Sequence, residues 1–430
     1  MTAEIAVMNK KAVALAADSA VTIGSSGKIY SSENKLFMLS KYYPVGVMIF
    51  SNAQFMGVPW DLLIKVYREE LDDKSFDKVE DYAVDFIEWL RCIKTGILPL
   101  EKRKQYISSI IYNISKEQIL AARDYMFTNI YEKSETDKVE QKDIESAFFD
   151  YFHLASKKIK EIKSEFGITK NEIKKGQNIR DIVEAAFSTT EVKISVKDEH
   201  YKIIEDVVVQ IMQKIITSYT GLVFAGFGEE EYYPSICSYK IGNLYGSKLK
   251  YDTYQSSNGE GSSAIIPFAQ SEMVTRFIEG IDPAYIEFFG EYLSDIINGY
   301  PKEILDIVDG LDDKKSASLD KKISKISTKI KQDIEAKLQE LTTEKFINPI
   351  ISNLDNLPID ELAEMALSLV NITSFKRRVS IDELETVGGP VDVAVITKGD
   401  GFIWIKRKHY FDSSNNHHFF NNYYKTGKNE

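Results

Sequence analysis

The sequence predicts an α+β fold, a four-layer αββα sandwich of two antiparallel sheets with large helical insertions. Three observations lead there. Short apolar segments rich in small and β-branched residues cluster at both chain ends and again near the middle. Long charged amphipathic stretches lie between them, and strands and helices do not alternate as a doubly wound parallel sheet requires. Two sheets built from both ends of the chain, with helices on their outer faces, satisfy that order.

The elements follow in sequence. Residues 2–7 and 12–17 are small and apolar around the polar turn NKK, which reads as a buried hairpin. VGVMIF (45–50) is a third strand, and a helix is expected from Val58 to Leu71, with Pro59 in its first turn. Residues 75–220 read almost wholly as charged amphipathic helix, as in FDKVEDYAVDFIEWL, a block too long to be a loop. Strand character returns at 221–228, 235–242 and 244–254, and the Gly/Ser-rich SSNGEGSSA precedes a helix starting near Gln270. Leu319, Ile323, Ile326, Ile330, Ile334, Leu338 and Leu341 then form an apolar stripe at helical spacing. It suits a helical hairpin on its own chain or a coiled-coil contact with another subunit. IDELAEMALSLVNIT is a further helix, leading into the closing strands VDVAVITKG and GFIWIKRKHYF. The organisation is a core in three parts (1–74, 221–285, 351–411), two helical insertions (75–220, 286–350) and a tail (412–430) without periodic pattern.

Composition narrows the classes of function. The 43% hydrophobic content supports a substantial core, and the formal net charge of −11 argues against a nucleic-acid scaffold, whose phosphate contacts need a basic surface. Two cysteines, Cys92 and Cys237, outside any ligand-spaced pattern, fit a reducing cytoplasm, with Cys92 expected in a helical core. The five histidines lack HExxH-type spacing, so no metal is expected, nor any cofactor. The opening residues include Glu4, Lys10, Lys11 and Asp18 and make neither a secretory leader nor a membrane span.

The opening MTAEIAVMNKKAVALAADSAVT places Thr2 behind Met1. Removal of Met1 would give Thr2 both a hydroxyl and a free α-amine, a nucleophile and its base on one residue. Asp18 follows sixteen residues later in AADS, and Lys35 in ENKLFML. With VGVMIFSNAQFMG, AGFGEEEYYPSICSYKIGNLYG and VGGPVDVAVITKGDGF, these segments resemble the proteasome β-subunit family of N-terminal nucleophile hydrolases, including the bacterial proteasome-like peptidases. The resemblance covers about the first 70 residues, 220–285 and 355–408, and leaves the helical blocks without a counterpart.

The resemblance implies a threonine-type peptidase or amidase acting on a peptide or protein substrate. Thr2 would be the nucleophile, Lys35 the ammonium beside it, and Asp18 the carboxylate that orients Lys35. The turn at Ser51 and Asn52 would serve the oxyanion, with Ser19, Gln270, Glu383 and Glu385 as candidate supports. It further implies a homo-oligomer. The sequence carries no ATPase motif, so any unfolding of substrate would need a separate ATPase, and neither nucleic acid nor membrane is expected as a partner. Two departures stand out. Phe268 occupies the place of a supporting serine, and Leu384 that of an aspartate near the Thr amine. They leave room for an alternative, a proteasome-fold protein without turnover that binds partners through its helical insertions.

Overall fold

The computed structural model describes residues 3–23, 28–134, 140–163, 166–260, 263–307, 313–380 and 387–423. The chain begins with the hairpin β1 (Glu4–Met8) and β2 (Ala12–Ala17). Asn9 closes it, its Oδ1 accepting from the N–H groups of Lys11 (2.9 Å) and Ala12 (3.2 Å). Next come the short β3 (Val21–Ile23), β4 (Lys28–Tyr30) and β5 (Leu36–Met38), then the fully buried β6 (Val45–Phe50). A two-residue ladder of β7 (Gln54–Phe55) and β8 (Val58–Pro59) leads into α1 (Trp60–Leu71), so the helix expected from Val58 starts two residues later.

The charged block folds as α2 (Val79–Arg91), α3 (Leu100–Ser134), α4 (Gln141–Glu161), α5 (Lys170–Lys174), α6 (Ile179–Ser188) and α7 (Asp198–Lys214). Strands β9 (Thr220–Gly226), β10 (Ser235–Tyr245), β11 (Lys248–Asn258) and β12 (Ala264–Ala269) follow. The hairpin turn falls at Gly246 and Ser247, so Leu244 and Tyr245 complete β10 instead of opening the next strand. Strand β12 was not anticipated. It is an edge strand, where Pro267 forfeits no interior ladder bond.

The remaining α-helices and strands are α8 (Glu272–Glu279), α9 (Pro283–Ile307), α10 (Asp313–Thr342), α11 (Asn348–Leu354), α12 (Ile359–Val379), β13 (Asp392–Thr397), β14 (Gly401–Lys406) and α13 (His417–Tyr423). The last helix lies in a stretch without apolar periodicity. Its Phe419 and Phe420 make edge-on ring contacts with Phe411 and His409, so aromatic contacts order it instead. Among the described residues no helix is long and apolar enough to cross a membrane.

Two five-stranded sheets, ordered β12-β1-β2-β13-β14 and β11-β10-β9-β6-β5, make this an α+β fold with large helical blocks, as the sequence order implied. In the first sheet β1 pairs antiparallel with both β2 and β12, and β2 pairs antiparallel with β13. The chain divides into two compact units, one of Met1–Phe50, Ala225–Ile236 and Ser257–Glu430, the other of Ser51–Phe224 and Cys237–Ser256.

In the first unit, strand alternation sorts side chains onto two faces. Ala3, Ile5 and Val7 with Ala12, Ala14 and Ala16 form one core with Leu362, Ala363, Ala366 and Val370 of α12. Alanines on the strands leave room for the helix backbone to come close. The opposite face meets β6, where a Cβ on Gly46 would lie 2.7 Å from the Phe402 ring and 3.0 Å from Ile396. In the same unit α9 and α10 pack together, and Lys331 Nζ donates to Ser294 Oγ (2.6 Å). The predicted stripe is split. Ile323 and Ile334 are partly covered, whereas Leu319, Ile326, Ile330, Leu338 and Leu341 stay exposed.

The second unit wraps its helices around an aromatic core. Trp60 is fully buried and donates from Nε1 to Thr220 Oγ1 (2.8 Å), while Phe86 packs on Phe224 at 5.6 Å between centroids. Cys92, expected in this core, instead caps the end of α2 and is exposed, because the helix stops there.

Lys250, only 2% exposed, donates from Nζ to the carbonyls of Met212 (2.8 Å) and Ile215 at the end of α7. Burial pushes its ammonium down from 10.5 to about 7. Between those values the unfolded chain carries a proton that the folded chain lacks, so stability should rise with pH across that window. Above about pH 10 the trend reverses, since burial raises Tyr67, Tyr239 and Tyr245, the last to about 12, and only the unfolded tyrosines ionise. Urea midpoints measured across this range should trace a maximum. In Lys250→Met the rising limb should flatten, and an unchanged limb would refute the assignment.

Candidate active site

The site is built where β1 and β2 begin and end together. Asp18 directly follows β2, and its backbone N–H donates to the Ala3 carbonyl (3.1 Å). In return Ala3 N donates to Asp18 Oδ1 (3.2 Å). The ladder thus runs one pair past Glu4 and Ala17 and clamps the start of β1 onto the carboxylate. Asp18 Oδ2 accepts from the N–H groups of Gly388 (2.9 Å) and Ala20 (3.3 Å), and Oδ1 also takes Lys35 Nζ in a close ion pair. Asp18 is fully buried. Three backbone donors and one ammonium replace the water it has lost, which is what a buried charge requires.

Lys35 comes from the segment entering β5. Its carbonyl accepts from Ile49 N (2.8 Å), so the stem is anchored beside β6 while the ammonium reaches across to the first sheet. Nζ meets a second carboxylate as well, Glu4 Oε1 at 3.3 Å, and the side chains of Lys35 and Glu4 are 4% and 0% exposed. Ser19 braces the surroundings. Its N–H donates to Gly388 O (3.2 Å), its hydroxyl to Pro390 O, and its carbonyl accepts from Glu33 N (3.2 Å). The loop of VGGP is thereby pulled against the end of β2.

Other residues singled out in the sequence fall in different places. Thr2, Glu383, Leu384 and Glu385 lie outside the described residues. Gln270 directly follows Ala269, which pairs with Glu4, and its buried amide makes no hydrogen bond among the described residues. Phe268 is 4% exposed and packs on Phe50 with centroids 5.8 Å apart. An apolar ring contact therefore occupies a position where the resemblance expects a hydroxyl. Ser51 and Asn52 belong to the second unit. Ser51 is exposed with φ of 72°, a left-handed turn conformation that glycine takes more cheaply. Asn52 accepts at Oδ1 from Gln54 N (3.0 Å) and at its carbonyl from Thr220 Oγ1 (2.9 Å).

Solved structures that resemble this chain include Anbu proteins. Anbu from Hyphomicrobium sp. strain MC1 superposes with a TM-score of 0.27 at 10% identity, covering 100% of this chain and 99% of that one. Anbu, an ancestral beta-subunit, from Yersinia bercovieri gives 0.28 at 8%, covering 100% and 99%. The helical assembly of the Anbu complex from Pseudomonas aeruginosa gives 0.27 at 8%, covering 98% and 93%. No protein-family model and no curated protein matches the chain. Likeness to Anbu at this level carries no argument about chemistry, so the functional reading rests on the residues themselves.

Two contributors escaped the sequence reading. Gly388 supplies an N–H to Asp18 from a segment 370 positions away, which local pattern does not signal. Glu4 did leave a signal, a lone acid in a strand whose other residues, Ile5 to Met8, are apolar. A carboxylate in a strand buried at every position needs a cation beside it.

Proposed function

We propose that this chain is a proteasome-like N-terminal nucleophile hydrolase that cleaves amide bonds through an acyl-enzyme on Thr2 once Met1 has been removed. The observation that carries the reading is the buried Asp18–Lys35 ion pair, whose carboxylate also binds the N–H of Ala3. That nitrogen is covalently bonded to the carbonyl carbon of Thr2. One peptide unit therefore separates the proposed nucleophile's α-carbon from the charged pair.

Chemistry follows from such an arrangement. The Thr2 hydroxyl oxygen attacks the substrate carbonyl carbon while its proton passes to the α-amine, and the carbonyl π electrons move onto oxygen. The Lys35 ammonium favours the neutral amine and the developing oxyanion by its charge. Collapse breaks the C–N bond, the α-ammonium returns its proton to the leaving amine, and an ester on Thr2 remains. Water then hydrolyses it by the same relay. Asp18 orients Lys35, and Ser19 holds the loop that supplies Gly388. Gln270 offers an unengaged amide beside β1, and the resemblance assigns the oxyanion donor to the turn at Ser51 and Asn52 and further support to Glu383 or Glu385. A cytoplasmic setting, self-association and substrate delivery by a separate ATPase belong to the same reading.

Phe268 favours a second reading, a proteasome-fold binding module without turnover, because by the resemblance it stands where the family has a supporting serine, and its ring packs on Phe50 instead. A peptide epoxyketone distinguishes the two, since it closes a ring onto both the hydroxyl and the free amine of an N-terminal threonine. Protein whose intact mass shows Met1 removed should form the adduct. Thr2→Ala should lose it and lower amide hydrolysis about a thousandfold or more. Correctly trimmed protein that forms no adduct would establish the module instead.

A further inference from the structure

The helical pair α9–α10 keeps an apolar surface that its own unit leaves uncovered. On α9, Tyr285, Phe288, Phe289, Tyr292, Ile296 and Tyr300 recur at three- and four-residue spacing and share one side of the helix. All are exposed, the aromatic ones by 41% to 65%. The rings of Phe288 and Tyr292 lie parallel, with centroids 6.0 Å apart. Ser294, which accepts from Lys331 of α10, stands about half a turn from Tyr292 and Ile296, so the aromatic row points away from the helix on which α9 packs. On α10, Leu319, Ile326, Ile330 and Leu341 form a second exposed row.

The charges beside the two rows have opposite sign. Glu287, Glu291 and Asp295 directly precede Phe288, Tyr292 and Ile296, so carboxylates flank the aromatic row. Lys322, Lys325 and Lys329 directly precede Ile323, Ile326 and Ile330, so ammonium groups flank the aliphatic one. All these charged side chains are exposed, and among the described residues none of them enters an ion pair. At a rise of about 1.5 Å per residue the acidic and basic rows run about 12 and 10 Å, a match in length. Because each charge stands just before the apolar residue it flanks, two such helices packed antiparallel bring their charged rows to the same side of the seam.

We propose that α9 of one copy docks its aromatic row on the aliphatic row of α10 in a second copy of this chain, with the carboxylates set against the lysines. Each copy carries both halves of the contact, so a second copy alone completes it. The five aromatic residues leave on the order of 500 Å² uncovered, which together with the α10 row approaches the roughly 800 Å² that each partner gives to a stable interface. An anionic lipid surface would attract the lysines but repel the carboxylates beside the aromatic row. The inference gives a surface to the self-association proposed above, yet it rests on α9 and α10 alone, so the epoxyketone adduct can form or fail without bearing on it.

Two measurements on the full-length protein test this. A carbodiimide joins a carboxylate to an amine in contact, and in a mixture of isotope-labelled and unlabelled wild-type copies, linked peptides carrying both labels report contacts between copies. Glu287, Glu291 or Asp295 should be found joined to Lys322, Lys325 or Lys329 across the labels, whereas links confined to single chains would overturn the proposal. Sedimentation then compares two triple variants. Glu287→Lys with Glu291→Lys and Asp295→Lys sets lysine against lysine in every pair of copies, and Lys322→Glu with Lys325→Glu and Lys329→Glu sets acid against acid. Each alone should associate at least about tenfold more weakly than the wild type. An equimolar mixture of the two should recover wild-type affinity as mixed complexes, because opposite rows meet again. Unchanged association in either variant, or a loss that mixing does not repair, would overturn the contact. So would protein that stays monomeric while binding vesicles of zwitterionic and anionic phospholipid, which would put a lipid surface in place of the second copy. The cross-linking needs no variant, and the substitutions lie at exposed positions, where changes of charge leave the fold intact.

Discussion

Asp18→Ala should destabilise the protein by about 3 to 5 kcal/mol, the range for removing one partner of a buried ion pair. The loss has several parts. The N–H groups of Ala3, Ala20 and Gly388 lose their acceptor, and among the described residues Lys35 keeps Glu4 as its carboxylate partner. The N–H groups of Ala3 and Ala20 do not regain water cheaply, because Asp18, Ala3 and Ala20 are each at most 1% exposed. Asp18→Asn tests the electrostatics more narrowly. One amide oxygen can still accept from Lys35 and Ala3, but the amide nitrogen then faces the N–H groups of Ala20 and Gly388, donor against donor. Its cost should lie between that of the alanine variant and zero, and amide hydrolysis should be lost in both. Urea unfolding measures the first effect. A change below about 1 kcal/mol for Asp18→Ala, the scale of an exposed pair, would mean that the cluster contributes little to the fold.

The second large effect is expected at Gly226. This residue ends β9 with φ of 141°, and a Cβ there would sit 1.9 Å from the Pro44 carbonyl oxygen and 3.0 Å from the Val45 α-carbon. Both obstacles are backbone. The same carbonyl accepts the Phe227 N–H at 3.0 Å, so it cannot move aside without losing that bond. Gly226→Ala should therefore cost more than about 4 kcal/mol or prevent folding outright, the range reserved for severe clashes. Gly401 supplies the control. It too has a left-handed φ, 79°, but nothing lies within 4 Å of a Cβ built there. Gly401→Ala should cost only about 1 kcal/mol of backbone strain. Equal losses at the two sites would show that the conformation, and not the close approach of Pro44, is what glycine serves.

Part of the site was legible because its residues are near one another in sequence or carry a periodic signal. A hairpin turned by Asn9 brings residues 3 and 18 together by register alone, so the pairing of Ala3 with Asp18 follows once the two strands are recognised. Lys35 could be placed only by resemblance, since a lysine in a loop is ordinarily solvated. Its burial depends on Ile49 holding its carbonyl and on two carboxylates waiting across the sheet. Edge strand β12 escaped because AIIPFA carries a proline and no alternation, features tolerated only where one side of the strand needs no partner. Cys92 was misplaced because helical spacing does not reveal where a helix stops.

Sequence alone determined the class of fold, the hairpin at the start of the chain and the helical blocks. Those features depend on local periodicity and on turn chemistry, which act over a few residues. Tertiary structure alone decided that Glu4 shares Lys35 with Asp18, that Gly388 completes the carboxylate's bonding, and that Phe268 packs on Phe50. Each of these joins segments distant along the chain, and burial sets their energies by removing water from all partners at once, a condition no short stretch of sequence records.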